Sequence, residues 1–208
     1  MTDTKLKLYS FPLSGHAHRI RLALSLLGLE AEIIDVDLAK GEHKSDWFTE
    51  LNPAGKVPVL VDGETVISES TAILTYLGRK HDNGTWLPED AEGLAATEQW
   101  FVSSATGLAN GPARARLITL FNAPYDQTET IEQAHAYLAN LNGVLEGRSY
   151  LVADRPTFAD VAIYTYVAHA PEGHVSLDDY ANINAWLKRV EKLNGFVPMQ
   201  KTDVAAAA

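Results

Sequence analysis

The sequence predicts an α/β domain followed by an all-α domain. Three observations carry that expectation. Lys56-Val57-Pro58-Val59-Leu60-Val61-Asp62-Gly63, continued by Thr65-Val66-Ile67-Ser68, has the shape of a hairpin. Strand and helix periodicities alternate ahead of it, and strand signals vanish beyond the turn-dense segment His81–Pro88. The apolar, β-branched runs on either side of Asp62-Gly63 read as two strands joined by a tight turn. After them the spacing of Ile73, Leu74 and Leu77 is helical.

Lys5-Leu6-Lys7-Leu8-Tyr9 alternates and reads as the first strand. Phe11–Gly15 is a loop, and from His16 the pattern turns helical, with Ile20, Ala23, Leu24 and Leu27 on one face and Gly28 as the C-cap. A strand at Glu32–Leu38 places Ile34, Val36 and Leu38 on one face; the polar loop Lys40–Ser45 then leads into a short helix with Trp47, Phe48 and Leu51. Pro58 opens the next strand, where no ladder donor is needed, and the Val57-Pro58 bond is a candidate cis peptide that would leave the Val57 backbone facing outward. Glu69-Ser70 fall where the following helix begins.

The expected boundaries are 1–82 for the first domain, 83–88 for a linker and 89–208 for the helical domain. In the latter, a helical pattern over Ala91–Leu108 is interrupted by Asn110-Gly111-Pro112 and resumes over Ala113–Phe121, so a kink or break is expected. Thr130–Leu145, Phe158–Ala168 and Tyr180–Leu193 are further helices, the last with Asn194-Gly195 as its C-cap, and Val204–Ala208 reads as a frayed end. Thr157-x-x-Asp160 has a capping-box shape, a folding signal. His169-Ala170-Pro171-Glu172-Gly173-His174 reads as a polar, turn-rich insertion to which the sequence assigns no role.

Composition excludes several function classes. With 208 residues, 46% of them hydrophobic, the chain can bury a substantial core. No run of apolar residues is long enough for a membrane span, and Met1-Thr2-Asp3-Thr4-Lys5 lacks the apolar run of a signal peptide, so a cytoplasmic location is expected. A net charge of −10, negative in both halves, disfavours nucleic acid and anionic membrane surfaces as partners. Cysteine is absent, which removes disulfides, a cysteine nucleophile and thiolate metal ligands. His16 and His18 point to different faces of a helix, and no His-Glu-x-x-His, glycine-rich phosphate loop or Gly-x-Ser-x-Gly occurs, so no metal site is expected.

The start of the helix at Glu69-Ser70 is the most informative place for chemistry. Free amide N–H groups and a hydroxyl there suit a carboxylate, while Glu69 can accept from an ammonium. Beside an outward-facing Val57 backbone, this space suits an extended peptide and the two charged ends of an amino acid.

Val57-Pro58 followed by Glu69-Ser70-Thr71-Ala72-Ile73 resembles the glutathione-binding half of a cytosolic glutathione S-transferase, and Gly41-Glu42-His43-Lys44-Ser45, Leu51-Asn52-Pro53 and Thr157-Phe158-Ala159-Asp160 also match that family. The resemblance runs from about Lys5 to Pro198 and is to the serine-type classes, with phi- and zeta-like features in a bacterial style. It implies a thioredoxin-like first domain, glutathione as co-substrate, a homodimer, and a small apolar electrophile held by the helical domain. It also implies roles for particular residues. Glu69 and Ser70 would hold the γ-glutamyl end and Val57, beside Pro58, the cysteinyl backbone; His43, Lys44 and Lys56 would meet the glycyl carboxylate. Leu108, Arg114 and Leu117 are candidates for the electrophile's pocket.

The thiol would then arrive with the ligand. A free thiol has a pKa of about 8.5 and is about 3% thiolate at pH 7; lowering it by about two units gives roughly 75% thiolate for about 2.7 kcal/mol. One or two hydrogen bonds to sulfur plus a helix N-terminus supply that much. Three hydroxyls compete for the donor role: Ser14, which also reads as a plain N-cap, Ser10 and Tyr9. The spacing from Ser14 to Arg19 resembles the serine-type classes and puts Ser14 first, with His16 as a possible further donor. A glutathione-dependent isomerase or peroxidase on the same scaffold stays open, although Ser14-Gly15-His16 departs from the Ser-Ser-Cys of the zeta signature. So does a non-catalytic binding or assembly module.

Overall fold

The structure, a computed structural model, describes residues 6–204. Lys5 of the expected first strand and the end of the expected frayed tail lie outside them. The chain forms two compact units. One runs to Asn83 and takes in Asn194–Gln200; the other comprises Gly84–Leu193 and the residues from Lys201 on.

The first unit contains β1 (Leu6–Ser10), α1 (Gly15–Leu26), β2 (Ala31–Asp35), a single 3-10 turn (Glu42–Lys44), α2 (Asp46–Leu51), β3 (Val59–Asp62), β4 (Thr65–Ser68) and α3 (Ser70–His81). Its sheet has the order β2-β1-β3-β4, with β1 parallel to β2 and the other two pairings antiparallel. This is the thioredoxin-like arrangement expected from the sequence. The pleat divides β1 between two layers. Tyr9 packs with Phe48, Val36 and Val59 on the α2 side, whereas Leu6, Leu8 and Ser10 face the other way and are buried. Because β3 is central, Val59 and Leu60 are both fully buried. α1 and α3 pack against each other, and Ile20, Leu24, Ile73 and Leu77 on them are buried.

Helix ends follow local chemistry. Gly28 adopts φ 67°, one residue past the cap Leu27, so that Leu29 N–H reaches the Leu24 carbonyl at 2.9 Å. Gly195 differs from its expected place: the last helix stops at Val190, and Gly195, at φ 87°, lies against α1. A Cβ there would come within 2.8 Å of the Ser25 carbonyl oxygen. The same returning segment places the Val197 carbonyl 2.9 Å from His18 Nε2, which donates to it.

The second unit is helical: α4 (Ala91–Ala105), a π-helical segment (Ala109–Ala113), α5 (Arg114–Phe121), α6 (Gln127–Val144), α7 (Phe158–Ala168), a 3-10 turn (Ala170–Gly173) and α8 (Ala181–Val190). The expected interruption at Asn110-Gly111-Pro112 is the π segment, where a widened turn accommodates a residue without an N–H. α7 is buried along almost its whole length. The capping box at its start forms, and Asp160 does more than cap. Its carboxylate accepts from Thr157 N–H at 2.9 Å, Leu151 N–H at 3.1 Å and Trp186 Nε1–H at 2.8 Å, tying a loop, α7 and α8 together.

Gly111 marks the close approach of the π segment to α6, since a Cβ would lie 2.8 Å from Ala134 Cα. Gly111→Ala is therefore expected to destabilise the protein by about 1–3 kcal/mol. Gly143→Ala, on α6 with nothing within 4 Å of the added carbon, should be neutral or stabilising by up to about 1 kcal/mol. Chemical denaturation of both variants checks this; equal midpoints would contradict the packing argument.

Candidate functional site

The N-termini of α1 and α3 meet. Ser14 is the N-cap of α1, with φ −85° and ψ 114°, and its Oγ accepts the Ala17 N–H at 3.2 Å. The capping bond uses a lone pair on the oxygen and leaves the hydroxyl proton available, so capping and donation to a ligand are compatible. Ser14 is half-buried. Ser10, by contrast, is 0% exposed, and its Oγ is buried without a partner among the described residues, out of reach of a ligand. Tyr9 is committed to an aromatic cluster, its ring 6.0 Å from Trp47 and 6.3 Å from Phe48.

Two residues into α1, His16 joins the two helix starts. Its Nδ1 lies 2.8 Å from Arg19 Nη1 and 3.3 Å from Ser70 Oγ, and Arg19 Nη1 donates to Ser70 Oγ at 3.1 Å. Arg19 is only 1% exposed. Burial, then the Arg19 guanidinium and the Lys56 ammonium, push the His16 pKa down from 6.5 to about 3, so the imidazole is neutral at physiological pH. In the sequence Arg19 stands out only by its charge and its spacing from Ser14.

Lys56 belongs to the same neighbourhood, because its charge acts on His16 although its side chain is exposed. Buried Asn52 holds the Lys56 carbonyl through a 2.7 Å bond from Nδ2, which gives the Leu51-Asn52-Pro53 motif a structural purpose. The Val57-Pro58 bond is cis, and the β3 ladder begins only at Val59, leaving the Val57 backbone outside the sheet pairing. Glu69, exposed and immediately before α3, adopts φ 67° and ψ 117° and makes no capping bond with its side chain. A non-glycine residue at positive φ stores on the order of 1–3 kcal/mol, and such residues cluster at ligand sites. His43 lies in the 3-10 turn, its carbonyl oxygen so near Gly55 that a Cβ there would be 3.0 Å away. Its Nδ1 is buried without a partner among the described residues, and Lys44 is exposed beside it.

In the second unit, Leu108 is fully buried and belongs to the core, so it is not a lining residue. Leu117 and Phe121 are exposed on α5, and Arg114 lies over the Tyr125 ring at 4.4 Å while bonding Asn110. The polar, turn-rich segment from His169 to His174, to which the sequence assigns no role, is largely buried. Glu172 is buried, bonded by Arg116 Nε at 2.5 Å, His169 Nδ1 at 2.7 Å and Thr202 N–H at 3.0 Å. Gly173 leaves no room for a Cβ against the Arg116 backbone N, 2.5 Å away. Among the described residues no cluster of His, Cys, Asp and Glu could hold a metal ion, and no helix is long and apolar enough to cross a membrane.

The depressed His16 pKa has a stability consequence. Between pH 6.5 and about 3 the unfolded chain binds a proton that the folded one refuses, so stability falls as pH drops through that window. The contribution is up to about 1.4 kcal/mol per pH unit. Denaturation midpoints of the wild type and His16→Gln over that range should show a shallower pH dependence in the variant; parallel curves would contradict the assignment.

Comparison with known proteins is consistent with this geometry. Residues 4–79 match the family model "Glutathione S-transferase, N-terminal domain" and residues 116–194 match "Glutathione S-transferase, C-terminal domain". Glutathione S-transferase 1 of Dianthus caryophyllus is 50% identical over 95 residues, a match that covers 46% of this chain and 43% of that protein. Against that plant relative, then, the chain spans less than half of the length. Glutathione S-transferase theta-1 of Bos taurus is 30% identical over 207 residues, covering 94% of this chain and 86% of that protein. A solved glutathione S-transferase from Pseudomonas fluorescens superposes with a TM-score of 0.88 at 31% identity, covering 94% of this chain and 99% of that one. With one family's two domain models matched in order and a relative aligned along nearly the whole chain, this protein belongs to the cytosolic glutathione S-transferase family.

Proposed function

We propose that this protein is a serine-type glutathione transferase, in which Ser14 donates a hydrogen bond to the sulfur of bound glutathione and stabilises its thiolate. The observation that carries the reading is the junction of the two helix starts. Ser14 retains a hydroxyl proton at the N-terminus of α1, and Ser70, at the N-terminus of α3, is linked to the same helix through His16 and Arg19. A twelve-residue helix beginning at Ser70 suits the γ-glutamyl carboxylate, and Glu69 beside it suits the ammonium. Val57, next to cis Pro58, offers backbone hydrogen bonds to the cysteinyl residue. His43, Lys44 and Lys56 meet the glycyl carboxylate, concentrating positive charge locally in a chain of net charge −10.

In this reading the thiolate attacks a small apolar electrophile. A carbon–sulfur bond forms as the leaving group departs with its electron pair, and Ser14 acts by donating to sulfur without itself forming a bond. The second unit supplies the electrophile's apolar surroundings, for which Arg114 and exposed Leu117 are candidates. A cytoplasmic homodimer with a role in detoxification completes the proposal. Relatives bear the transferase name, which supports the class of reaction.

An ultraviolet difference titration of the protein with glutathione tests this by following thiolate absorbance against pH. Thiolate is expected with a midpoint about two units below 8.5. Ser14→Ala should return it towards the free value, while Ser10→Ala leaves it in place. Ser14→Gly, which keeps most of the capping energy, should lose the thiolate shift while giving up only a few tenths of a kcal/mol. Unchanged thiolate in both Ser14 variants would overturn the role of Ser14. Binding without early thiolate would indicate a module that holds glutathione without activating it.

A further inference from the structure

We infer that Arg19 is a positioning residue that sets the hydrogen-bond polarity of the site, directing the Ser70 hydroxyl proton towards a ligand carboxylate and fixing His16 as the Nε2–H tautomer. The inference rests on the proposed binding of a γ-glutamyl carboxylate at the start of α3, but its geometry is independent of that reading. A guanidinium is always protonated and only donates. Its Nη1 lies 2.8 Å from His16 Nδ1 and 3.1 Å from Ser70 Oγ, and one Nη1 hydrogen is available for each. Both facing atoms must therefore accept.

For His16 the consequence is a choice of tautomer. The single in-plane lone pair of Nδ1 is taken by the shorter, charge-assisted bond, so the ring proton resides on Nε2. For Ser70 it is a choice of direction. Its oxygen accepts from Arg19, and its own proton would have only His16 Nδ1, 3.3 Å away and already engaged, to turn to within this triangle. The proton is thus left for an incoming acceptor. A hydroxyl that accepts from a buried cation is also a stronger donor. Arg19, from inside the first helix, determines that the start of α3 presents a proton and not a lone pair. Among the groups facing His16 are the Arg19 guanidinium on its own helix, the Lys56 ammonium from the loop before β3 and the Ser70 hydroxyl from α3; the two cations disfavour a protonated ring.

Two measurements test this. Long-range 1H–15N spectra of the wild-type protein report the His16 tautomer directly, with the Nε2–H form expected from pH 5 to 8. A proton on Nδ1 would overturn the inference. Calorimetry then compares glutathione with the analogue whose γ-glutamyl α-carboxylate is amidated, using the wild type, Arg19→Gln and Ser70→Ala. Amidation should weaken wild-type binding by about 10- to 100-fold, as expected for a charge-assisted bond. In both variants that penalty should shrink by at least about fivefold, because the donor is lost or misdirected. A variant that weakens both ligands by the same factor would show a merely structural role and would also overturn it. If Arg19→Gln fails to fold, the tautomer spectrum and Ser70→Ala still decide. Absence of glutathione binding by the wild type would sink the functional reading instead, leaving the tautomer to judge Arg19 by itself.

Discussion

A buried guanidinium joining two helix starts is the interaction around which the first unit's chemistry is arranged. Removing the charge of Arg19 from water is costly, and the fold offsets that cost with fixed acceptors, His16 Nδ1 and Ser70 Oγ. Those acceptors come from different elements, so the same bonds that satisfy Arg19 also bring the start of α1 to the start of α3. The first turns of both helices, with Ser14 and Ser70, thereby converge. In a chain of net charge −10, the Arg19 guanidinium and the Lys56 ammonium thus lie near one another, both acting on His16.

The second unit handles buried charge with carboxylates at the centre. Burial pushes the Asp160 carboxyl upward, against hydrogen bonds from Thr157, Trp186 and Leu151 that favour the ionised form. For Glu172 burial acts in the same direction but is outweighed: His169, the Thr202 N–H and Arg116 hold the carboxyl below its usual range. Burial in turn keeps His169 below its ordinary value despite the carboxylate beside it. Each carboxylate gathers donors from segments far apart in sequence, the first from Leu151 and Trp186, the second from Arg116 and Thr202. Such clusters specify which segments pack together, since an alternative packing would leave a buried charge unpaired.

Chain connectivity adds a constraint of its own. Residues Asn194–Gln200 lie with the first unit, where Gly195 presses on the Ser25 carbonyl and Val197 engages His18. The α/β unit is thus completed by a segment more than a hundred residues beyond its last helix. His18 sits two residues from His16 on the helix. The two side chains serve different faces, one bonded to the returning segment and the other to Arg19 and Ser70.

The sequence by itself determined the elements whose signals are local. The hairpin around Asp62-Gly63, the helical periods of α1, α3 and α7, the capping box at Thr157 and the break at Asn110-Gly111-Pro112 all depend on residues within one or two turns of one another. They stand in the structure close to where those residues place them. Cis Val57-Pro58 and the Glu69-Ser70 helix start belong to the same class of short-range signal. Tertiary structure decided everything that depends on burial or on partners distant in the chain. Spacing to Arg19 ranks Ser14 ahead of Ser10, but only packing seals Ser10 inside the sheet and leaves Ser14 half-buried. Arg19 carries no mark in the sequence beyond its charge and its spacing from Ser14, because its importance lies in an acceptor 51 residues away. The His169–His174 stretch reads as polar and turn-rich with no role, because composition records side-chain type alone; Arg116, the partner of its buried Glu172, comes from another helix. Local propensity acts over a few residues, while the cost of burying a charge is settled by whatever the fold brings beside it.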